Sequence, residues 1–486
     1  MVSFDNPSAL FYAQKLVGGD CVHINQSFTI LSCLLITGCA ILKPTLPLDT
    51  VSLPTTYSTP TLAGSTVAET AWWLPFNNPE LNELIQHAMI HNPSLEQVWA
   101  RLTQADATAK RLGAARLPSI NLTGGFTSTE AVKTGADIDE WSVGVAATSY
   151  ELDLWGRVNA VQAAAKSDAV SARFAVETAA MSLSAEVANR WNNLIARRME
   201  LAILREQLKA NRTSLELIEL RFRRSFSTGL AVLQQRQTVE STAALIPLAE
   251  RAERAAELEL TALLGQMEPV AIASKSLCTL PPLPALGIPA TLLEQRPDVQ
   301  RARALLDAAS WRVAAARADR LPAIRLSGRI ESTEGNAEEL FDNWLSTLIG
   351  SLSTPLIDAG GRRAETERTQ AVLRESIAAY RATVIQAINE VEQALNLEET
   401  QANYVAALEV RHNAAKQAYD ESLQRYRNGA IDYTTVLFQL NTLQQIERLK
   451  ISAQADQISY RINLLRSLGG NWVKQLEEPG ESNEEN

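Results

Sequence analysis

Residues 117–124 read LPSINLTG, and residues 321–328 read LPAIRLSG. The two stretches are 321 − 117 = 204 residues apart. Other short matches fall at the same offset: Asn92-Pro93 with Arg296-Pro297, and Leu264-Gly265 with Leu468-Gly469. A fixed internal period indicates a repeated structural unit, and this period is far longer than that of a solenoid repeat. We therefore predict a single object made of two similar halves.

The period divides the chain into two repeats, residues 81–265 and 291–470. A proline-rich linker, residues 266–290, separates them, and residues 471–486 form a C-terminal tail. Residues 39–80, before the first repeat, are predicted to be an extended segment that follows a signal peptide.

Residues 1–38 resemble a bacterial export signal. Residues 28–38 are almost wholly apolar and too short to cross a bilayer. They lead into Cys39 through Ile36-Thr37-Gly38, which resembles a lipobox, so Cys39 is the predicted lipidation site. The alternative is an ordinary cysteine in a cleaved signal. The resemblance to lipoproteins, together with Ala40 after the cysteine, implies sorting to the outer membrane. A start codon assigned too early would explain the long segment before the apolar run.

Composition limits the classes of function. A net charge of −10 gives no basic surface for nucleic acid. Four cysteines without a pairing pattern predict no disulfide framework. No later apolar run is long enough for a membrane helix, so we expect any membrane span to be a β-barrel.

Each repeat is predicted to contain a pair of strands, at residues 118–130 and 142–154 and again at 322–333 and 345–357. In the second copy Ile324, Leu326 and Ile330 alternate with Arg325, Ser327, Arg329 and Glu331. One apolar and one polar face fit a barrel wall between lipid and water. Trp141 and Trp344, each after a polar loop (residues 130–140 and 334–343), fit an interfacial girdle or, alternatively, an ordinary core.

Very long helices are predicted at residues 157–224 and 362–428, which contain neither proline nor glycine. Their apolar residues step by three and four, as in a coiled coil. Shorter helices return at residues 230–264 and 431–468, and another short helix precedes each strand pair. Since every helical residue adds the same rise, two short helices placed end to end match one long helix in length. Pro247 is expected to kink its return helix or to move its boundary.

Four strands per chain cannot close a barrel, and open sheet edges are not tolerated in lipid. The smallest bacterial barrels have eight strands, so two, three or four copies must share one barrel. The predicted fold class is a membrane α+β protein, with a shared strand barrel continued by a long antiparallel α-helical coiled-coil barrel.

The strands turn into the long helices at two matched corners: Asp153, Gly156 and Arg157, and Asp358, Gly361 and Arg362. With these corners, Cys39, the two Leu-Pro pairs and Arg425-Tyr426-Arg427-Asn428-Gly429, the chain resembles the TolC-like outer-membrane efflux proteins. It is most similar to their lipoprotein branch, the NodT/OprM-like outer-membrane factors. The resemblance implies a homotrimer with a 12-stranded barrel and a helical tunnel. It also implies a periplasmic adaptor and an inner-membrane RND-type pump, outer-membrane lipid around the barrel, and no cofactor.

The resemblance also implies that the turns between long and return helices dock onto the adaptor. The candidate residues are Arg223, Ser225, Gly229, Arg427, Gly429 and Asp432. An ordinary polar helix–helix turn is the alternative. Related lipoproteins often narrow the tunnel with an acidic residue past this glycine. Asp432 is the nearest acid here, whereas Tyr433 and Phe438 could form an apolar constriction.

No catalytic set is evident, and we predict that the chain is not an enzyme. His87 and His91 have the spacing of two zinc-protease ligands but lack the glutamate after the first histidine, so no metal site is predicted.

The predicted function is the outer-membrane exit duct of a tripartite efflux system. The alternatives are a type I protein secretion duct and a periplasmic coiled-coil scaffold without a pore.

Overall fold

The computed structural model describes residues 54, 57, 71–131, 133, 136–283 and 289–476. The predicted signal peptide and Cys39 lie outside the described residues, as do most of residues 39–70. Residues 284–288 of the linker and residues 477–486 of the tail also lie outside them.

The first repeat contains two short helices, two strands, a long helix and a return helix. They are α1 (Pro79–His91), α2 (Pro93–Ala114), β1 (Ile120–Ala131), β2 (Ala136–Leu152), α3 (Arg157–Arg223) and α4 (Gly229–Leu263). The break at Asn92-Pro93 separates α1 from α2. Asn92 Oδ1 accepts hydrogen bonds from the amides of Ser94 (2.9 Å) and Leu95 (3.1 Å), and so caps the second helix.

The second repeat has the same order of elements. A helical turn, α5 (Leu292–Gln295), is followed by α6 (Pro297–Ala318), β3 (Ala323–Glu334), β4 (Leu345–Ser353), α7 (Gly361–Arg427) and α8 (Tyr433–Leu468). The long helices α3 and α7 each contain 67 residues. The rise per helical residue makes each of them roughly 100 Å long.

The four strands form one antiparallel sheet in the order β1-β2-β3-β4. Leu122 pairs with Val145, and Val145 pairs with Ile330, so an apolar row crosses three strands. The register of β2 and β3 shifts between Ala147 and Tyr150. There Ser149 has a φ of 51° and its amide donates to Ser327 Oγ (3.2 Å), as expected of a bulge.

Two strand boundaries differ from the sequence prediction. The segment predicted as a polar loop, residues 130–140, is mostly strand, since β1 extends to Ala131 and β2 begins at Ala136. Polar side chains such as those of the Glu130–Asp137 pair do not prevent ladder pairing when the hairpin is exposed. Strand β4 ends at Ser353 rather than at residue 357, because Pro355 has no amide hydrogen for the ladder.

The helices lie in two connected rows along α3. Near the strands α2 packs on α3, α3 on α6, and α6 on α7; in the other half α4 packs on α3, α3 on α8, and α8 on α7. Pro247 was predicted to kink its return helix or to move the boundary of that helix, and the structure contradicts the second of these outcomes. Helix α4 runs through this proline from Gly229 to Leu263.

No described helix combines the length and apolarity needed to span a bilayer.

The two rows meet at an aromatic core halfway along α3. Trp191 is fully buried, and its Nε1 donates to Glu80 Oε2 (3.1 Å). Trp73 packs edge-on against Trp72 (ring centroids 5.7 Å) and Trp472 (4.7 Å). This core holds the segments that enter the first repeat and leave the second one.

The turns at the ends of the two long helices have matching backbones. Ser225 has a φ of 61° and Gly429 a φ of 73°, and they occupy equivalent positions of the two repeats. The amide of Phe226 donates to Arg221 O (2.8 Å), and that of Ala430 donates to Arg425 O (2.9 Å). Both turns require a left-handed residue, but only the second has the glycine that adopts this conformation without strain.

Replacing Gly429 by alanine is expected to destabilise the protein by about 1 kcal/mol, and Ser225→Gly to stabilise it by a similar amount. A Cβ on Gly429 has no atom within 4 Å, so the effect is conformational. Denaturant unfolding of the detergent-solubilised chain, followed by circular dichroism, measures both changes. Gly361→Ala is the matched control, since its Cβ also has no neighbour within 4 Å and it lies in a helix. A Gly429→Ala variant as stable as the parent would contradict the argument.

Candidate functional site: helix tips and strand–helix corners

The first corner is held by an aspartate that caps a long helix. Asp153 Oδ1 accepts from the amide of Val158 (2.9 Å), and Oδ2 accepts from that of Asn159 (2.7 Å). Gly156 has a φ of 73° and turns the chain from β2 into α3. Arg157 donates two hydrogen bonds to the Glu151 carboxylate (2.8 and 2.9 Å). The corner therefore joins the end of β2 to the first turn of α3.

The second corner uses the same device with one difference from the prediction. Gly360, with a φ of 85°, is the left-handed residue, and Gly361 is instead the first residue of α7. Backbone hydrogen bonds from Arg362 and Gly360 lower the pKa of Asp358. Arg362 Nε donates to Asp319 Oδ2 (3.0 Å), which ties α7 to the end of α6.

We call residues 222–233 the first tip and residues 426–438 the second tip. The candidates Arg223, Ser225, Arg427, Gly429 and Asp432 are all exposed, and Gly229 is half-buried. The first tip also exposes a group of apolar side chains that the sequence analysis missed: Phe222, Phe226, Leu230 and Leu233. Their signal was present in the sequence as a cluster of apolar residues spanning a turn.

The second tip places the three candidate constriction residues differently. Phe438 is 67% exposed and Asp432 is exposed, whereas Tyr433 is only 7% exposed. Tyr433 is thus wrong as a residue of an apolar constriction. Its hydroxyl donates to Gln235 Oε1 (2.7 Å) on the neighbouring return helix, and its ring lies 5.2 Å from that of Tyr426. Burial raises the pKa of the Tyr433 phenol well above its ordinary value, so it stays a donor.

Tyr433 belongs to a buried polar cluster that we call the tip network, formed by Asn211, Gln235, Thr242, Tyr433 and Gln444. Gln235 Nε2 donates to Asn211 O (2.8 Å), and Gln444 Nε2 donates to Asn211 Oδ1 (2.9 Å). Asn211 Nδ2 donates to Thr242 Oγ1 (3.0 Å). Asn211 and Gln235 are completely buried. The network therefore joins α3 and α4 of the first repeat to α8 of the second.

One aromatic contact adds to this link between the repeats. The Arg221 guanidinium of α3 lies 4.8 Å from the centre of the Tyr426 ring on α7. A cation over an aromatic face at this distance is attractive. The ends of both long helices are thus tied together by side chains rather than by backbone.

Two further places with potentially reactive side chains are the histidine pair of α1 and a cysteine of the linker. His87 and His91 stack with ring centroids 4.1 Å apart, and among the described residues no group of three His, Cys, Asp or Glu side chains could hold a metal ion. Cys278 is the free cysteine in the part of the chain that the structure describes, and burial raises the pKa of its thiol to about 11. It is therefore a poor nucleophile at neutral pH.

Known proteins are similar to this chain in sequence and in fold. The family model described as "Outer membrane efflux protein" matches residues 84–266 and 288–470, one segment in each repeat. The pyoverdine export outer membrane protein OpmQ of Pseudomonas aeruginosa is 30% identical over 82% of this chain and 87% of its own length. The cation efflux system protein CusC of Escherichia coli is 27% identical over 82% of this chain and 88% of its own length.

Solved structures of outer-membrane channels are similar to this chain in fold. The outer-membrane channel OprN superposes with a TM-score of 0.82 at 23% identity, covering 89% of this chain and 100% of that chain. The MtrE outer membrane channel of Neisseria gonorrhoeae superposes with a TM-score of 0.81 at 23% identity, covering 89% of this chain and 98% of that one. The chain belongs to the outer membrane efflux protein family.

Proposed function

We propose that this chain is the exit duct of a tripartite efflux system in the outer membrane of a Gram-negative bacterium. Three copies form a 12-stranded barrel that is continued into the periplasm by a helical tunnel. A periplasmic adaptor docks at the tips, and an inner-membrane RND-type pump delivers drugs or other small toxic solutes. Lipid at Cys39 anchors each copy to the membrane.

The observation that carries the proposal is a four-stranded sheet with two open edges. Within the described residues β1 pairs only with β2, and β4 only with β3. Pairing β1 of one copy with β4 of the next would satisfy both edges, and closure is what lipid requires. Three copies supply twelve strands, within the range of bacterial barrels.

The two faces of the sheet support a wall between lipid and water. The row Leu122, Val145 and Ile330 is apolar, and these side chains are 79%, 43% and 52% exposed. The adjacent row lies on the opposite face, where Asn121 pairs with Ala146 and Ala146 with Arg329, so an amide and a guanidinium flank one alanine. Exposed apolar rows are costly in water and favourable in lipid. This alternation counts against a periplasmic scaffold without a pore.

The helices support association of copies. Both long helices have 67 residues, yet α3 has 26 buried residues and α7 only 11. Helix α7 lies at an edge of the protomer and leaves Ile385 and Val410 56% and 70% exposed. A neighbouring copy packed against α7 would bury this face, as the interior position of α3 already does in its own protomer.

The cargo of relatives varies, which fits a passive duct. Their names mention pyoverdine export, toluene efflux and cation efflux, at 30%, 27% and 27% identity to this chain. We infer that the pump selects the solute and that the duct contributes a water-filled path. These names favour efflux over the alternative of a type I protein secretion duct.

Opening of the duct requires the second-repeat helices at the tip to move away from those of the first repeat. The tip network and the contact between Arg221 and Tyr426 oppose that movement. Asp432 and Phe438, the exposed candidates, would narrow the closed mouth. An adaptor bound at the tips would supply the free energy that separates them.

Electron microscopy of the detergent-extracted protein tests the assembly. We expect three-fold hollow cylinders longer than the roughly 100 Å of one long helix, with a trimer mass by light scattering. Solid monomeric or dimeric rods that stay soluble without detergent would leave only the scaffold alternative.

The Tyr433→Phe substitution is expected to favour the open state. Loss of the hydroxyl leaves the buried Gln235 Oε1 without a donor. The closed tip is then less stable by about 1 kcal/mol per protomer, which raises the ratio of open to closed tips roughly fivefold. Conductance of the purified protein in planar bilayers reports this ratio. Tyr404→Phe is the control, because Tyr404 is 42% exposed. Equal conductance for both variants would exclude the tip network as a restraint.

Charge reversal at the second tip is expected to weaken adaptor docking. The double variant Arg427→Glu/Asp432→Arg should lower photo-crosslinking from position Asn428 to the adaptor by about two- to fivefold, the range for exposed charges. Arg363→Glu is the matched control at the opposite end of α7, where Arg363 is 77% exposed. Unchanged crosslinking in the double variant would make the tip an ordinary polar turn.

A further inference from the structure

A groove of about 750 Å³ lies between α2 and α3, in the half of the protomer nearer the strands. Its floor is apolar and its rims are polar. Its lining includes Trp99, Asp106 and Lys110 of α2, and Lys166 and Arg173 of α3, together with Leu476. Its position has no role in the duct as described above.

The rims of the groove carry excess positive charge. Three of the lining side chains are basic (Lys110, Lys166 and Arg173), and one, Asp106, is acidic. Within the part of the chain that the structure describes, no carboxylate forms an ion pair with Lys110 or Lys166. Both lysines are exposed. The groove thus offers two cations that an acidic occupant could reach.

The chain itself leads to this groove. Arg173 donates from its guanidinium to Leu476 O (2.6 Å), and the same guanidinium lies 5.2 Å from the centre of the Trp99 ring. Arg173 also pairs with Glu177 (3.5 Å), which keeps its own side chain in place. The last described residue is therefore fastened at one end of the groove.

The residues that follow have the complementary charge. Residues 477–486 read EEPGESNEEN, with five glutamates and no basic residue. Ten extended residues reach roughly 33 Å. From Arg173 back to Gln162, the far end of the groove, α3 rises by only about 17 Å. The segment is therefore long enough to run the length of the groove.

We propose that residues 477–486 bind in this groove of their own chain, with their glutamates paired to Lys110 and Lys166. Single exposed ion pairs are weak, but a tether makes the binding intramolecular, so that several weak pairs act together. The effective concentration of a segment on a short linker is on the order of millimolar. The bound segment bridges α2 and α3 and adds ion pairs to their direct packing.

Two other occupants are less well matched to the groove. The N-terminal segment, residues 39–70, carries Lys43, Asp49 and Glu69, so its net charge is −1 against −5 for the tail. A neighbouring copy of the chain could also cover the groove. Neither of them begins at Leu476, whereas the tail does.

Zero-length carbodiimide crosslinking of the detergent-purified full chain, followed by peptide mass spectrometry, tests the proposal. We expect amide crosslinks from Lys110 or Lys166 to glutamates of residues 477–486. Assembly from mixed isotope-labelled and unlabelled chains should show that these crosslinks lie within one chain. Crosslinks of these lysines to Asp49 or Glu69, or to glutamates of another copy, would overturn the proposal.

The double variant Lys110→Glu/Lys166→Glu should speed removal of the tail by carboxypeptidase about three- to tenfold, the effect of losing two exposed pairs. The matched control is Lys209→Glu, since Lys209 is an exposed lysine in the other half of α3. For the unmodified chain, about 1 M salt, where the Debye length is roughly 3 Å, should produce the same acceleration. A digestion rate that neither salt nor the double variant changes would refute the proposal without depending on how the variant folds.

Discussion

Helix α3 is the element on which the rest of the protomer is assembled. An isolated helix of this length gains little from backbone hydrogen bonds alone, because most helical stability in proteins comes from packing of an apolar face. Helices α2, α4, α6 and α8 all pack against α3. Trp191 at its midpoint is fully buried in the cluster that also contains Trp73 and Trp472, so the half-length helices have a common point at which to meet. If α3 were broken, neither row of helices would have a shared neighbour.

The two repeats use one pattern for two different environments. Helix α3 lies inside the protomer, and α7 lies at its edge with an unpartnered face. If α7 were buried as fully as α3, it would leave little apolar helix surface for another copy to cover. In the proposed assembly, this difference in burial between equal helices would direct how one copy packs on the next, as the open edges of the sheet would.

Much of the fold could be predicted from the sequence because periodicity is a local property. The absence of proline and glycine over about 68 residues leaves few alternatives to a long helix, and the left-handed turns recur at one offset. The burial of Tyr433 could not be predicted, because helical spacing identifies a face but not the neighbour that covers it. Asn211, Gln235 and Gln444 likewise read as ordinary polar helix residues until three helices bring their amides within hydrogen-bonding distance. The extended hairpin of β1 and β2 was missed since polar composition resembles a loop, while ladder pairing involves only backbone.

The contacts along α3 also differ in what their separation would cost. Near the strands α3 packs on α6, whose buried residues are mostly alanine and valine, among them Ala308, Ala309 and Val313. Separating such a seam exposes apolar surface and loses close packing, and water offers nothing in return. At the tips Ile218 of α3 packs in an apolar cluster with Val436 and Leu437 of α8. Farther from the tip Asn211 and Gln444 join the same two helices by hydrogen bonds, which water can replace when the helices part. Parting α3 from α8 at the tips would therefore cost the apolar burial of Ile218, while the amide contacts behind it would exchange protein partners for water.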